Sequence, residues 1–358
     1  MDIGKIVALR RALHGCPELS GGEARTLAAV KGFLSENTTL LVEDRGGWLL
    51  ASHIEGEGLP ALAFRADMDA IPGEDGPRHG CGHDGHCAIL CALGLMLEGR
   101  QVGANVHLIF QGAEETGEGA RRVLESFPEL RRVERIYGLH NIPGFEKGAI
   151  LARAGCFACA SEGLIVDVAG RPAHAAYPEQ GANPAALLSR AVLALPEMVS
   201  EILDGADRLL MHTVVGMNVG GENFGLSADR GRLCMTLRGH RQADIDALAG
   251  RIEEFVRAGC AEAGMACRFE LRDVFPDTTN PAEIVDGAVE KWRAAGLPVR
   301  RLSEPMRWSE DFGWYLKAIP GMFFGVGIGE DHPGLHTAEY CFDDGIIQRA
   351  AEAFFTLI

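Results

Sequence analysis

Apolar runs and amphipathic stretches alternate regularly along residues 1–155. Short apolar runs bounded by turn-forming residues predict strands, whereas apolar residues at helical spacing predict helices. The alternation predicts helices at EARTLAAVKGFL, HCAILCALGLML and EGARRVLESF, and strands at ALAFRAD, NVHLIF and RIYGLH. Strands that alternate with helices are typical of an α/β domain whose sheet is largely parallel and covered by helices on both faces.

The pattern changes at about residue 162. Up to residue 275 it predicts a strand (GLIVDVA), a helix (NPAALLSRAVLAL to EIL), two strands (LLMHTVVGMNV and RLCMTLRGH), a helix (ADIDALAGRIEEFVRAGCAEAG) and a strand (ACRFELR). This βαββαβ order predicts a ferredoxin-like α+β module. After this segment the alternation of helices and strands seen in residues 1–155 returns, with the helix EIVDGAVEKWRAAG, the strand GMFFGVG and a closing helix. We therefore predict that residues 161–275 are inserted into a domain built from residues 1–160 and 276–358.

Composition and charge exclude several classes of protein. Hydrophobic residues make up 47% of the 358 residues and charged residues 23%, as in ordinary globular proteins. The net charge of -16 would repel a polyanion, which argues against a nucleic-acid partner. No apolar run approaches the roughly 20 residues that span a bilayer, and the first residues lack a signal-peptide pattern. These features predict a cytoplasmic protein that makes no membrane contact.

The ten cysteines have no spacing typical of a disulfide framework, so we predict that most are buried free thiols. Cys156 and Cys159 form a CxxC pair, a pattern found in redox centres and in half of a zinc site. The surrounding AGCFACASEG offers no second pair, so we assign this pair no function.

The densest cluster of chemically active residues is RHGCGHDGHCA, at positions 78–88. The stretch contains three histidines, two cysteines and an aspartate around a glycine-rich turn just before an apolar helix. Imidazole and thiolate bind metals such as zinc, and glycines allow the backbone to bend several ligands around one ion. The alternative is a polar loop in which Asp84 caps the next helix. We favour metal binding.

A pair of acids, Glu114 and Glu115, follows the apolar strand in NVHLIFQGAEETGEG. In open α/β sheets ligands bind at the carboxyl ends of the strands. Adjacent carboxylates repel each other unless a cation or a shared proton offsets the repulsion, so one ligand and one general base is a sensible division of roles. The alternative is that both acids interact with the dipole of a following helix.

Three further polar residues follow predicted strands. Asp67 follows ALAFRA, His140 follows IYGL, and His336 lies shortly after GMFFGVG. A lone histidine is more often structural than functional. Because these positions converge with the two clusters on one edge of the sheet, however, we predict a single site there.

The residues resemble a known family along nearly the whole chain. The chain is similar to the aminoacylase and carboxypeptidase family of metallopeptidases, and within it to the branch of hippurate hydrolases, indole-acetyl-amino-acid hydrolases and N-acetyl-diaminopimelate deacetylases. The resemblance is carried by eight stretches in the family's order: RRALHGCPELSGGEART, FRADMDAIP, HGCGHDGH, FQGAEE, GLHNIPG, AHAAYPEQGANP, SEDF and LHTAEY.

The resemblance implies a centre of two divalent ions, with zinc, manganese, cobalt and nickel all compatible with the donor types. It implies that Glu114 is the general base and that Asp67 supports the ligands from behind. His79 and His86 belong to the motif but are not ligands in this family. The implied ligands are Cys81, His83, Glu115, His140 and His336.

The resemblance also implies that the inserted module is a lid and the interface of a homodimer. His174, in PAHAAYP, matches a histidine that reaches into the neighbouring subunit's site and stabilises the oxyanion. Asn223 and Arg238 roughly match residues that hold the substrate carboxylate, although ENFGLSAD departs from the family's usual stretch and Arg238 could be an ordinary surface arginine. Both acyl group and amino acid stay open.

The implied reaction is hydrolysis of the amide bond of N-acyl amino acids or small peptide-like substrates, with a water that bridges the two ions as nucleophile. Three alternatives remain: a dipeptidase or carboxypeptidase of the same family, a thiol hydrolase with Cys81 as nucleophile, and a metal-binding dimer with weak or no activity. The loop between Asp69 and Cys81 is shorter than usual, and Gly112 and Ala338 stand where proline is usual, so the pocket entrance is expected to differ from that of relatives.

Overall fold

The structure, a computed structural model, describes all 358 residues. The chain divides into two compact units. The first contains residues 1–157, 278–306 and 310–358, and the second contains residues 158–277 and 307–309.

The regular elements are nine α-helices and eighteen strands. The helices are α1 (Ile3–His14), α2 (Ala24–Asn37), α3 (His83–Leu97), α4 (Gly119–Ser126), α5 (Ala185–Leu203), α6 (Gln242–Ala263), α7 (Ala282–Ala294), α8 (Gly313–Leu316) and α9 (Ile347–Thr356). The strands are β1 (Leu41–Asp44), β2 (Trp48–His53), β3 (Ala61–Asp67), β4 (Ile71–Gly73), β5 (Gly76–Arg78), β6 (Asn105–Gln111), β7 (Arg135–Ile142), β8 (Ile150–Ala152), β9 (Gly155–Ala158), β10 (Ala160–Ala169), β11 (Ala173–His174), β12 (Leu210–Val219), β13 (Leu226–Ser227), β14 (Arg230–Gly239), β15 (Ala266–Phe275), β16 (Thr278–Asn280), β17 (Val299–Arg301) and β18 (Gly321–Gly327). None of the helices has both the length and the apolar character required to cross a membrane.

The first unit is organised around an eight-stranded sheet with the order β1-β2-β6-β3-β7-β18-β8-β17. Its central strands, β6, β3, β7 and β18, are all parallel, and β17 is parallel to β8. The pairs β1–β2, β2–β6 and β18–β8 are antiparallel. The prediction of a mixed, largely parallel α/β sheet is confirmed.

Helix α3 lies in the core of the first unit, where it packs against α1, α2 and α9. Thirteen of its fifteen residues are buried, because the sequence after its polar first turn is apolar on every side. Its close packing depends on small residues. A Cβ atom added to Gly85 would overlap the ring of Phe342, so only glycine fits at this turn of the helix. The rigid core thereby fixes the direction in which the first turn of α3 points.

The second unit contains a four-stranded antiparallel sheet with the order β12-β14-β10-β15. Alternate residues of β10, such as Leu164 and Val166, are buried in a core with Leu188 of α5 and Ile245 of α6. The βαββαβ connectivity and this strand order are those of a ferredoxin-like module. The unit extends beyond residues 161–275 at both ends and includes residues 307–309, which the sequence patterns did not assign to it.

Candidate metal centre

The carboxyl ends of β3, β6 and β7 converge with the first turn of α3 at one edge of the central sheet. Asp67 is the last residue of β3, and His140 lies near the end of β7. The acids Glu114 and Glu115 follow β6, after Ala113, whose backbone is left-handed with φ of 56°. Parallel strands bring their carboxyl ends to a common edge, so residues distant in the chain meet there.

Two histidines have one ring nitrogen bonded to the protein and the other directed into the site. His83 Nδ1 lies 3.0 Å from the carbonyl of Asp69, and its buried Nε2 has no hydrogen-bond partner. His140 Nδ1 lies 2.7 Å from the carbonyl of Asn141. A carbonyl accepts but cannot donate, so the proton resides on Nδ1 and leaves a lone pair on Nε2. This is the arrangement in which histidine binds a metal ion.

The thiol of Cys81 lies between two imidazoles. Its Sγ atom is 3.3 Å from His140 Nε2 and 3.3 Å from His336 Nε2. His336 Nε2 is also 3.6 Å from an oxygen of Glu115, and that oxygen is buried without a hydrogen-bond partner. A carboxylate oxygen that is buried without a hydrogen-bond partner is energetically costly unless a cation binds it.

Two groups of potential ligand atoms share Cys81. One is Cys81, His83 and His140, the other is Cys81, Glu115 and His336, and within each group the atoms lie within 4.8 Å of one another. Thiolate, imidazole and carboxylate together suit a borderline divalent ion. The structure thus brings together all five predicted ligands. The Nε2 atom of His83 and an oxygen of Glu115 are buried without a hydrogen-bond partner, which fits bound divalent cations.

Burial strongly affects the protonation of Cys81 and Glu114. Burial and the nearby Glu115 raise the pKa of the Cys81 thiol well above its usual range. A buried thiol with a raised pKa is a poor nucleophile, whereas a bound metal ion would deprotonate it. Burial and the neighbouring carboxylates of Glu310 and Glu115 also raise the pKa of Glu114 well above its usual range.

Asp69 contacts this cluster, although the sequence patterns did not single it out. Its Oδ1 atom is 3.2 Å from His83 Nδ1, and its Oδ2 atom accepts hydrogen bonds from Ser20 and from the backbone N–H of Glu115. Asp67 instead contacts His86 at 2.6 Å and Arg65 at 2.6 Å. Residues 67 and 69 are two positions apart, so the RADMD stretch contained a signal for both acids.

A buried ionic cluster lies behind Glu114. The guanidinium of Arg65 donates to Asp67, to Asp311 at 2.6 Å and to Glu310 at 3.1 Å. The backbone N–H of Asp311 in turn donates to an oxygen of Glu114 at 3.2 Å. Arg65 and both acids of the SEDF stretch therefore help to fix the orientation of Glu114, a role that sequence patterns did not assign to them.

The two remaining motif histidines are placed differently. Both ring nitrogens of His86 are within hydrogen-bond distance of a partner, at 2.6 Å from Asp67 and 2.7 Å from Asn141. His79 is buried, and its ring centroid lies 6.0 Å from that of His14. Burial lowers the pKa of His79, which favours a neutral ring. None of the ten cysteines forms a disulfide, and only five of them are buried. Four are half-buried and Cys341 is exposed.

The predicted lid residues belong to the second unit. His174 is exposed, and its Nδ1 accepts a hydrogen bond from the backbone N–H of Ala176 at 3.0 Å. Asn223 is exposed and its side-chain oxygen accepts from the backbone N–H of Gly225 at 3.1 Å. Arg238 is half-buried and donates to the Ser309 hydroxyl at 2.8 Å.

Gly82, between Cys81 and His83, is predicted to be irreplaceable. Its φ is 97°, and a Cβ atom would overlap the Asn141 amide oxygen and the Tyr340 hydroxyl. We expect Gly82→Ala to lower the free energy of unfolding by about 1–2 kcal/mol through backbone strain and by about 1–3 kcal/mol through overpacking. Denaturant unfolding with a chelator present measures this without a contribution from bound metal.

The matched control for Gly82 is Gly103→Ala. Gly103 has a φ of 75°, but no atom lies within 4 Å of the added Cβ position. We therefore expect this substitution to lower the free energy of unfolding through backbone strain alone. Equal losses for the two variants would contradict the packing argument.

A family model described as "Peptidase family M20/M25/M40" matches residues 63–358. The chain belongs to this family. The resemblance inferred from the motifs is thereby confirmed, and membership of the M20/M25/M40 family together with the cluster of ligand atoms makes the chain a metal-dependent hydrolase of carbon–nitrogen bonds.

The relatives of this chain are similar to it over most of their length. The N-acetyldiaminopimelate deacetylase of Shouchella clausii is 30% identical, with 94% of this chain and 92% of that protein covered. The N-acetyl-L-cysteine deacetylase of Bacillus subtilis is 29% identical, with 97% and 86% covered. Among solved structures, the YXEP protein of Bacillus subtilis, described as a dinuclear metal binding peptidase from the M20 family, has a TM-score of 0.82 at 24% identity, with 99% and 96% covered.

Proposed function

We propose that this protein hydrolyses the amide bond of N-acyl amino acids, with Cys81, His83, Glu115, His140 and His336 as ligands of two divalent ions and Glu114 as general base. The observation that carries the proposal is the position of the Cys81 thiol. It lies 3.3 Å from each of two imidazole nitrogens and belongs to both groups of ligand atoms.

When bound, divalent ions at this centre lower the pKa of a bound water and polarise the scissile carbonyl. The chain holds the ligand atoms ready for them. Asp69 orients both His83 and the backbone of Glu115, and the carbonyl of Asn141 orients His140. We assign Asp67 a supporting role, since it orients His86 and is tied to the guanidinium of Arg65.

Glu114 is the proton carrier of the proposed mechanism. It takes a proton from the attacking water and later delivers it to the leaving amine, which requires a carboxyl pKa nearer to neutrality than usual. Burial and adjacent carboxylates shift the pKa of Glu114 in that direction. The N–H of Asp311 occupies one of its oxygens and so limits how the carboxylate can turn.

His174 is the proposed donor to the oxyanion that forms during attack on the carbonyl. The backbone N–H of Ala176 donates to Nδ1, so a neutral His174 carries its proton on Nε2, where it is available to donate. By the family resemblance we propose that this residue acts in the site of a second copy, within a homodimer formed through the second unit. Asn223 and Arg238 are the proposed partners of the substrate carboxylate.

Acetyl amino acids are the substrate class that the relatives favour, because two of them are named for the removal of an acetyl group from an amino acid. We infer a cytoplasmic location, which suits a chain in which none of the ten cysteines forms a disulfide.

Removal of metal separates the proposed mechanism from a thiol hydrolase. After treatment with a chelator, hydrolysis of N-acetyl amino acids should fall to background and return on addition of Zn²⁺, Mn²⁺, Co²⁺ or Ni²⁺. The assay compares acetyl, benzoyl and indole-acetyl amino acids with dipeptides. Activity that survives chelation but is lost on thiol alkylation would point to Cys81 as nucleophile, and faster cleavage of dipeptides would point to a peptidase.

A further inference from the structure

His336 is the least protected of the proposed ligands. Its side chain is 51% exposed, and it lies in a segment without regular helix or strand between β18 and α9. Its backbone is left-handed, with φ of 64°, a conformation that costs a residue other than glycine about 1–2 kcal/mol. Such a conformation persists only where neighbouring groups hold the backbone in place.

Arg78, at the end of β5, holds this backbone in place through hydrogen bonds. Its guanidinium donates to two successive backbone carbonyls, that of His336 at 2.5 Å and that of Thr337 at 2.8 Å. On the other side, the N–H of His336 donates to the carbonyl of Gly80 at 2.8 Å. Residues 78–80, which directly precede the ligand Cys81, therefore hold the left-handed backbone on both sides through hydrogen bonds.

Gly80 leaves room for this guanidinium. A Cβ atom added to Gly80 would lie 2.8 Å from Arg78 Nη1 and 2.6 Å from the side chain of Ile71. The hairpin of β4 and β5, which ends in Arg78, lies in the short loop between Asp69 and Cys81. This hairpin thus has a structural task beyond shaping the pocket entrance.

We propose that Arg78 is a positioning residue that sets the affinity of the ion site formed by Cys81, Glu115 and His336. The inference rests on the proposed ligand set. Arg78 acts through the backbone of His336: with both carbonyls bound, the imidazole is held within 3.3 Å of the Cys81 sulfur, and a divalent ion meets a preformed group of donors.

The sign of the expected effect distinguishes positioning from simple electrostatics. Removing a positive charge near a cation site should strengthen cation binding if charge alone matters. Loss of an orienting partner should instead weaken it by about 10- to 100-fold, the range typical of groups that orient metal ligands.

The experiment titrates chelator-treated protein with Mn²⁺ in a calorimeter and resolves the two binding events. His336→Ala identifies the event that depends on the Cys81, Glu115 and His336 site. We expect Arg78→Met to weaken that same event about 10- to 100-fold while the other event keeps its affinity. Arg78→Lys, which keeps the charge and can donate to a carbonyl, should restore part of the loss.

The matched control is Arg135→Met, which removes the same charge from a side chain that also donates to a backbone carbonyl, that of Glu134. It should bind both ions normally. Unchanged or tighter binding in Arg78→Met, with His336→Ala weakened, overturns the inference and leaves the proposed function intact. If His336→Ala itself binds two ions normally, the proposed ligand set is wrong. Near-ultraviolet circular dichroism checks that each variant is folded.

Discussion

Replacing Glu114 with glutamine is expected to remove most of the hydrolytic activity and to leave metal binding in place. The amide has the shape of the carboxylate but cannot accept and return a proton, so kcat should fall by about 10² to 10⁴. Glu114 is not one of the five proposed ligands, and metal content should therefore persist. Activity on an N-acetyl amino acid and metal content by atomic emission are measured on the same preparation.

Glu118→Gln is the control for this prediction. Glu118 lies four residues further along the chain, has a side chain that is 57% exposed, and pairs with Arg122 at the surface. Its amide variant should retain both activity and metal. If Glu114→Gln keeps most of its activity, the general base lies elsewhere, and if it loses metal, Glu114 is a ligand.

Loss of Arg65 is expected to be among the most destabilising single changes in the first unit. Its side chain is fully buried and pairs with Asp67, Glu310 and Asp311, whose side chains are also buried. Arg65→Met would leave these carboxylates without a positive partner, and breaking a buried ion pair in this way costs about 3–5 kcal/mol. Denaturant unfolding at neutral pH with a chelator present measures the loss.

This loss should depend on pH in a defined direction. Burial raises the pKa of Glu310 to about 8 and that of Asp311 to about 6, even with Arg65 acting to lower both. A carboxyl group with a raised pKa in the folded state binds its proton more tightly there than in the unfolded state, so acid favours the folded state. Since Arg65→Met removes the opposing charge, its deficit should be largest above pH 8 and should shrink as the pH falls towards 4.5.

The control is Arg122→Met, which breaks an exposed ion pair with Glu118. Exposed pairs contribute about 0–1 kcal/mol, so little change is expected at any pH. A similarly small change in Arg65→Met, or a deficit that grows in acid, would contradict the account of the buried cluster.

Local patterns predicted the central strands and most helices because burial on a sheet or in a core imposes a period on the sequence. The strands ALAFRAD and RIYGLH and the largely buried helix α3 are examples. The patterns did not predict α1, nor that β2 and β1 extend the sheet in the antiparallel direction. The direction and the order in which strands pair depend on contacts between segments that are distant in the chain. The local spacing of apolar residues carries no information about such contacts.

The same distinction applies to the site. Residues with metal-binding chemistry, such as His83 and His140, could be recognised by type and by their position after strands. Arg65 and Asp311 could not, because their roles arise from a contact between segments 246 residues apart in the chain. Likewise, nothing in the type of Arg78 indicates that it binds the carbonyls of His336 and Thr337.

The pairing of β18 with β7 has a consequence for how the chain folds during synthesis. These strands are neighbours in the sheet although the whole of the second unit lies between them in the chain. During synthesis on the ribosome, one edge of β7 therefore stays unpaired until β18 has emerged. The second unit, in contrast, can fold almost entirely from residues 158–277. The inserted module is therefore expected to mature first, and the nascent first unit is the stage most exposed to aggregation.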